Sequence, residues 1–289
     1  MSIIGCAKHD LPQCITPANF KTELPFTRSN EGIVLQTFWG AEKKEHFLLL
    51  DNHAPTWGNS LVIKDNRSIH QLQNLGYKTT TGDGASIKGD IYQCDSVFLG
   101  NTAFKNVAFY KIATDENQFR YRSSIGAIGD NVMASGVWKI DFKNRLITIA
   151  SDLNAITGID SANTIPAIFT DNIISIKTKL SNNIDKLFEL DLGFNFTCLM
   201  PQKDFNTLYK NKTYDSSFSS ITTPAGSSSI NTTKASEKLT IGTNQFQTFI
   251  ITHPSVKENL IGLPFFERFD FIILDYINHS FYVSKHVQF

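Results

Sequence analysis

Apolar residues along this chain fall mostly into short runs and two-residue alternations separated by polar turns, the pattern of strands rather than helices. Ile33-Val34-Leu35-Gln36-Thr37-Phe38-Trp39 predicts a strand, Gly40 to Glu45 a polar turn, and Phe47-Leu48-Leu49-Leu50 a second, buried strand, so the segment reads as a hairpin. That run ends in Asp51, and Asn52-His53-Ala54-Pro55 breaks the pattern. Residues 69–75 have helical spacing and stop at Gly76, a C-cap residue. Asp90 to Ile112 alternates through Ile91, Val97, Leu99, Phe104, Val107 and Phe109 and is interrupted at Gly100-Asn101, which predicts another hairpin. Val137 to Ile149 predicts a third, turning at Lys143-Asn144-Arg145. Between them, residues 79–86 are polar and Gly-rich, with Gly82 and Gly84 at what reads as a hairpin tip. This segment lacks the lysine and spacing of a phosphate loop.

The second half of the chain repeats the first. Leu187-Phe188-Glu189-Leu190-Asp191-Leu192-Gly193 matches the run into Asp51, with Asp191 lying 140 positions after Asp51. Ala127-Ile128-Gly129 returns as Leu260-Ile261-Gly262, the glycines 133 apart. The hairpin around Asp141 returns around Asp275, 134 later. Three landmarks in one order at nearly one offset predict two similar lobes. The Ser/Thr/Gly-rich stretch 209–236, with Gly226 near its middle, matches the Gly82–Gly84 segment by position and reads as a second long hairpin. Residues 1–18 form a polar tether, 19–151 an N-terminal lobe, 152–166 a connector and 167–289 a C-terminal lobe.

Composition narrows the function. Lys plus Arg balance Asp plus Glu at 27 each, which removes the basic excess a nucleic-acid surface needs. No apolar run reaches the roughly 20 residues of a membrane span. Cys6, Cys14, Cys94 and Cys198 have no paired spacing for zinc, and a disulfide between two of them stays open. Ser2-Ile3-Ile4-Gly5-Cys6 resembles the end of a bacterial lipoprotein signal, although the basic and apolar regions expected upstream are missing. Either the match is accidental, or Cys6 carries a lipid and the protein is extracytoplasmic, in the periplasm or at the cell surface. No Gly-x-Ser-x-Gly elbow and no His-Glu-x-x-His spacing occurs.

An acid at the end of a buried strand is costly unless hydrogen-bonded, paired or functional. One such acid reads as a turn cap. Two, delivered by matching lobes, form a catalytic arrangement. From Ile33 to Val283 the chain resembles the retropepsin-like (pepsin-type) aspartic peptidases in their single-chain, two-lobed bacterial form. The resemblance rests on the two strands ending in Asp51 and Asp191, the two Gly-rich hairpins, the elements ending in Gly129 and Gly262, and the closing hairpins. It implies an all-β fold of two similar β-barrel lobes related by a pseudo-twofold, with few short helices. It also implies a monomer, because both acids lie in one chain.

The same resemblance implies an aspartic endopeptidase without cofactor or metal. Asp51 and Asp191 would share a proton and activate water against an extended peptide or protein substrate. Asn52, His53 and Gly193 would line the substrate side, and Gly82, Gly84 and Gly226 would belong to flaps that cover it. Where the family has Asp-Thr-Gly or Asp-Ser-Gly twice, this chain has Asp51-Asn52-His53 and Asp191-Leu192-Gly193. The family's middle hydroxyl bonds across to the other loop; Asn52 keeps that capacity and Leu192 does not. His53 stands where the family has a glycine, which tolerates torsions that histidine does not. As a residue outside the chemistry, it reads as a partly exposed turn histidine. These departures leave a second reading, a pseudo-peptidase that binds extended peptides or a protein partner without cleaving. Asp141 and Asp275, mid-hairpin beside basic or polar turn residues, read as structural or solvated acids, and Trp138, Phe265, Phe266, Phe269 and Phe271 as core.

Overall fold

The structure is a computed structural model that describes residues 14–80, 86–112, 124–210, 215–223, 226–253 and 256–285. Strands make up 57% and helices 11%, which places the protein in the all-β class. The strands close into two six-stranded barrels.

The first ring runs Gly32–Trp39, Lys44–Leu50, Gly126–Ile128, Trp57–Gly58, Thr102–Ile112 and Ser86–Leu99. It closes where Thr37, Phe38 and Trp39 pair with Leu99, Phe98 and Val97. The second runs Ile173–Lys179, Asp185–Asp191, Leu260–Gly262, Cys198–Pro201, Asn244–His253 and Gly226–Ile241, closing at Lys179 and Thr240. Each ring uses its strands in the same order. In both, the strand that ends in the acid lies parallel to the short strand before Gly129 or Gly262. Parallel neighbours are buried, which is why these short strands read as unbroken apolar runs.

A third sheet ties the barrels together. The hairpins Val137–Asp141/Leu146–Ala150 and Phe271–Asp275/Ser280–Ser284 pair with each other, with Ile272 opposite Ile140 and Leu274 opposite Trp138. Lys21–Ser29 adds to one side of this sheet and Ala162–Ile165 to the other. The connector 152–166 is therefore not a free linker: after two short 3₁₀ turns its last residues become a strand of the bridging sheet. Lys21–Ser29 alternates exposed and buried through its first seven residues, as a strand with one face on the core must. The Trp138 indole donates to the Met133 carbonyl at 2.9 Å, so the largest side chain of the bridge is buried without an orphan donor. One apolar cluster containing Trp39, Phe104, Trp138, Phe188, Phe265, Phe266 and Phe269 runs through both barrels.

Two local expectations are corrected. Residues 69–75 are not helical; Ile69–Thr80 is a strand against Ser86–Leu99, with register shifts between Gln71 and Gln73 and between Gln73 and Tyr77. Irregular pairing blurs a two-residue period, and the residues then mimic helical spacing. Phe47 is not buried. It is 46% exposed, as is Leu187 at the matching place in the second lobe, so each buried run begins one residue later.

The polar hairpins are present as Ile69–Thr80/Ser86–Leu99 and Asp215–Thr223/Gly226–Ile241, and Gly226 opens the return strand of the second. Gly82 and Gly84 lie outside the described residues, as does Cys6. Cys14, Cys94 and Cys198 are free thiols, each buried. Among the described residues no helix is long and apolar enough to cross a membrane.

Candidate active site

Asp51 and Asp191 are almost fully buried where the barrels meet. Each sits on the last turn out of its strand, and each turn is hydrogen-bonded alike. His53 N–H donates to Asp51 Oδ1 at 3.1 Å, and Gly193 N–H to Asp191 Oδ1 at 2.9 Å. Ala54 N–H reaches the Asp51 carbonyl and Phe194 N–H the Asp191 carbonyl. The backbone beyond each turn then packs on the glycine of the parallel strand. A Cβ on Gly129 would lie 2.2 Å from the Ala54 oxygen, and one on Gly262 2.1 Å from the Phe196 oxygen. Asp130 N–H closes onto the Ala54 carbonyl and Leu263 N–H onto the Phe194 carbonyl. These contacts are why the apolar-apolar-Gly elements accompany the acids twice: only glycine lets the two backbones meet.

The acids converge on Gly193. Its N–H holds Asp191, and a Cβ there would stand 2.4 Å from Asp51 Cγ. Asp191 Oδ2 has no hydrogen-bond partner among the described residues. Burial, and then the charge of Asp191, push the Asp51 carboxyl up to about 7, so this site holds a proton well above the ordinary carboxylate range.

Asn52 joins the loops. Its side-chain oxygen accepts from Leu192 N–H at 2.8 Å, and its amide donates to the Leu190 carbonyl at 2.9 Å. Leu192, fully buried, returns no side-chain bond. Between these two middle residues the clasp is thus made by Asn52 alone, while farther along the second loop the Asn195 amide donates to the Asn30 carbonyl at 2.9 Å.

His53 departs from the sequence expectation twice. It is buried rather than partly exposed, and its Nε2 lies 2.6 Å from Glu189 Oε2 of the other lobe. Nor does its torsion conflict with a side chain: neither His53 nor Gly193 has a positive φ, so space and not backbone freedom demands glycine at 193. Burial alone pushes His53 down, but its bond to Glu189 and the charges of Asp191, Glu189 and Asp51 outweigh it and raise it to about 9. Asp130, on the short helix Asp130–Met133, is pushed up to about 6 by burial. The Tyr276 ring is buried near the same acids, and burial keeps its hydroxyl neutral.

Glu189, Asp130 and Tyr276 were not singled out from sequence. A signal existed for each. Glu189 interrupts an apolar strand where the first lobe has Leu49, Asp130 follows a landmark glycine, and Tyr276 stands where the first lobe has Phe142. Asp141 and Asp275 are structural: Asp141 accepts from Asn144 N–H, and Asp275 from the N–H groups of Ile277 and Asn278. No family model matches the chain, and no curated protein sequence matches it.

Proposed function

We propose that the protein is an aspartic-type endopeptidase acting on extended peptides. The observation that carries this reading is the convergence of two buried acids, one per barrel, on Gly193. Two carboxylates so placed resist double ionisation and share a proton. In the proposed cycle the ionised member takes a proton from water as general base. The protonated member donates to the peptide carbonyl and stabilises the oxyanion as water adds. The proton taken from water then passes from the base to the amine nitrogen as the C–N bond breaks, and the proton on the tetrahedral oxygen returns to the pair as the new carboxyl forms. The raised Asp51 suits the proton-bearing role, and the unpartnered Asp191 Oδ2 suits the base. The paired hairpins would lie over an extended substrate backbone and exclude water. One chain supplies both acids, so a single copy suffices.

A second reading is a peptide-binding pseudo-peptidase, favoured by the bulk of His53 beside the acids where a glycine would leave room. The experiment is cleavage of a diverse peptide mixture from about pH 3 to about pH 8, read by mass spectrometry of new termini. Cleavage by wild type that vanishes in both Asp51→Asn and Asp191→Asn is expected. No cleavage by folded wild type selects the binding reading, and cleavage surviving either substitution removes the acid pair from the mechanism.

A further inference from the structure

We propose that His53 and Glu189 form a charged cross-lobe latch that positions the acid pair and sets its proton balance, replacing the side-chain bond Leu192 cannot make. The inference rests on the peptidase reading above for its catalytic consequence, but not for its electrostatics.

The repeat itself points to the pair. His53 occupies the position of Gly193, and Glu189 the position of Leu49. Each is a departure from its counterpart in the other lobe, and the two departures meet at 2.6 Å with side-chain exposures of 5% and 25%. A small residue at 53 would leave Glu189 facing the acids without its cation, and a leucine at 189 would strand a buried imidazole.

The latch also completes a grip. Asn52 holds the backbone at Leu190 and Leu192, and His53 holds the side chain at Glu189. Two successive residues of one loop thus take hold of the opposing strand end on both sides of Leu190. The backbone N–H of His53 also donates to Asp51 Oδ1, so the residue that grips Glu189 with its ring anchors Asp51 with its main chain.

Among the described residues, five acidic groups stand around the ring. Asp51 comes from its own loop, Asp191 from the opposite loop, Glu189 from the strand Asp185–Asp191, and Asp130 from the short helix. Glu258 comes from the segment before Leu260–Gly262; burial, then the Glu189 charge, raise it, and His53 opposes the rise. Lys257 also faces Glu258. The bond to Glu189 and the charges of Asp191, Glu189 and Asp51 outweigh the burial of the imidazole and keep it protonated through neutral pH. The imidazolium cancels Glu189 and biases the acids toward the singly charged form that water activation needs.

The test combines a titration with kinetics. NMR titration of the His53 ring is expected to give a midpoint at least about one unit above an ordinary histidine, falling by about one unit or more in Glu189→Gln. The whole pH profile of cleavage is expected to move up by about one unit in His53→Gln and down in Glu189→Gln. The double variant should return toward the wild-type profile. For His53→Gln, kcat should fall about tenfold while KM changes less than about threefold, the mark of a group that positions rather than binds. An ordinary His53 midpoint that ignores Glu189→Gln overturns the latch whether or not the protein cleaves peptides. Profiles that stay fixed in folded variants overturn it while leaving the acid pair intact. If folded wild type never cleaves but the midpoint is raised and falls in Glu189→Gln, the peptidase reading fails and the electrostatic latch stands.

Discussion

Position 53 carries an imidazole and position 193 a single hydrogen, yet both donate their backbone N–H to the acid two residues back, at 3.1 and 2.9 Å. The loops after Asp51 and Asp191 are one turn with different side chains. Their backbones agree in the acid-binding N–H, in the turn bond to the acid's carbonyl and in the glycine packed behind. Their side chains divide the labour. Lobe one reaches across with Asn52 and His53; lobe two offers backbone, the Glu189 carboxylate and the empty face of Gly193. The lesson is that backbone geometry alone holds each acid, whereas bringing the two acids together falls to side chains that bond across the lobes, Asn52 and His53 from the first and Glu189 and Asn195 from the second.

The sharpest way to break this comparison is at its two third positions. Gly193→Ala puts a methyl against the Asp51 carboxyl, and we expect cleavage to fall at least about 1,000-fold with a loss of about 2–3 kcal/mol in denaturant unfolding. His53→Ala at the matching position should leave a folded protein with measurable cleavage. Equal losses from both would show the loops to be interchangeable.

The glycines behind the loops should behave alike. Gly129→Ala and Gly262→Ala each drive a Cβ into backbone, and each should cost about 3 kcal/mol or more in chemical denaturation. A large effect in one lobe only would mean that the second loop can relax. Next in size is Asn52→Leu, which copies Leu192 into lobe one and leaves Leu192 N–H and the Leu190 carbonyl unpaired, a loss of about 2 kcal/mol or more.

The acids and the histidine should separate along the pH axis. Asp51 binds its proton more tightly when folded, its ordinary value of 3.8 rising to about 7, so it contributes stability below pH 3.8 that is lost as pH rises through about 7. His53 rises from 6.5 to about 9, so its contribution is full below 6.5 and lost as pH climbs through about 9. Thermal melts across pH should show two declines, each on the order of a few kcal/mol, the first flattened by Asp51→Asn and the second by His53→Gln. The smallest effect belongs to the rim of the junction. Arg28 pairs with Glu267 at 2.5 Å and also donates to Asn195, and Arg28→Ala should cost no more than about 1 kcal/mol because the pair is partly exposed.

The repeat, the strand class, both acids and both landmark glycines were legible in the chain because each rests on a short local pattern: an apolar run, a turn residue, a fixed offset. Asn52 was legible as a donor and Leu192 as its mute counterpart. Residues 69–75 were misread because bulged pairing spoils alternation, and Phe47 because apolarity does not say which face a strand residue takes. His53 and Glu189 stand 136 positions apart, and no local rule joins an imidazole to a carboxylate at that distance. By itself the sequence determined two all-β halves, each ending a buried strand in an acid, since propensity and periodicity act over a few residues. Only the tertiary structure decided that the closing hairpins fuse into one sheet, that Gly193 separates the acids, and that His53 finds Glu189. Those outcomes depend on which surfaces meet when two barrels pack, and burial and Coulomb energy are properties of that meeting, not of the chain.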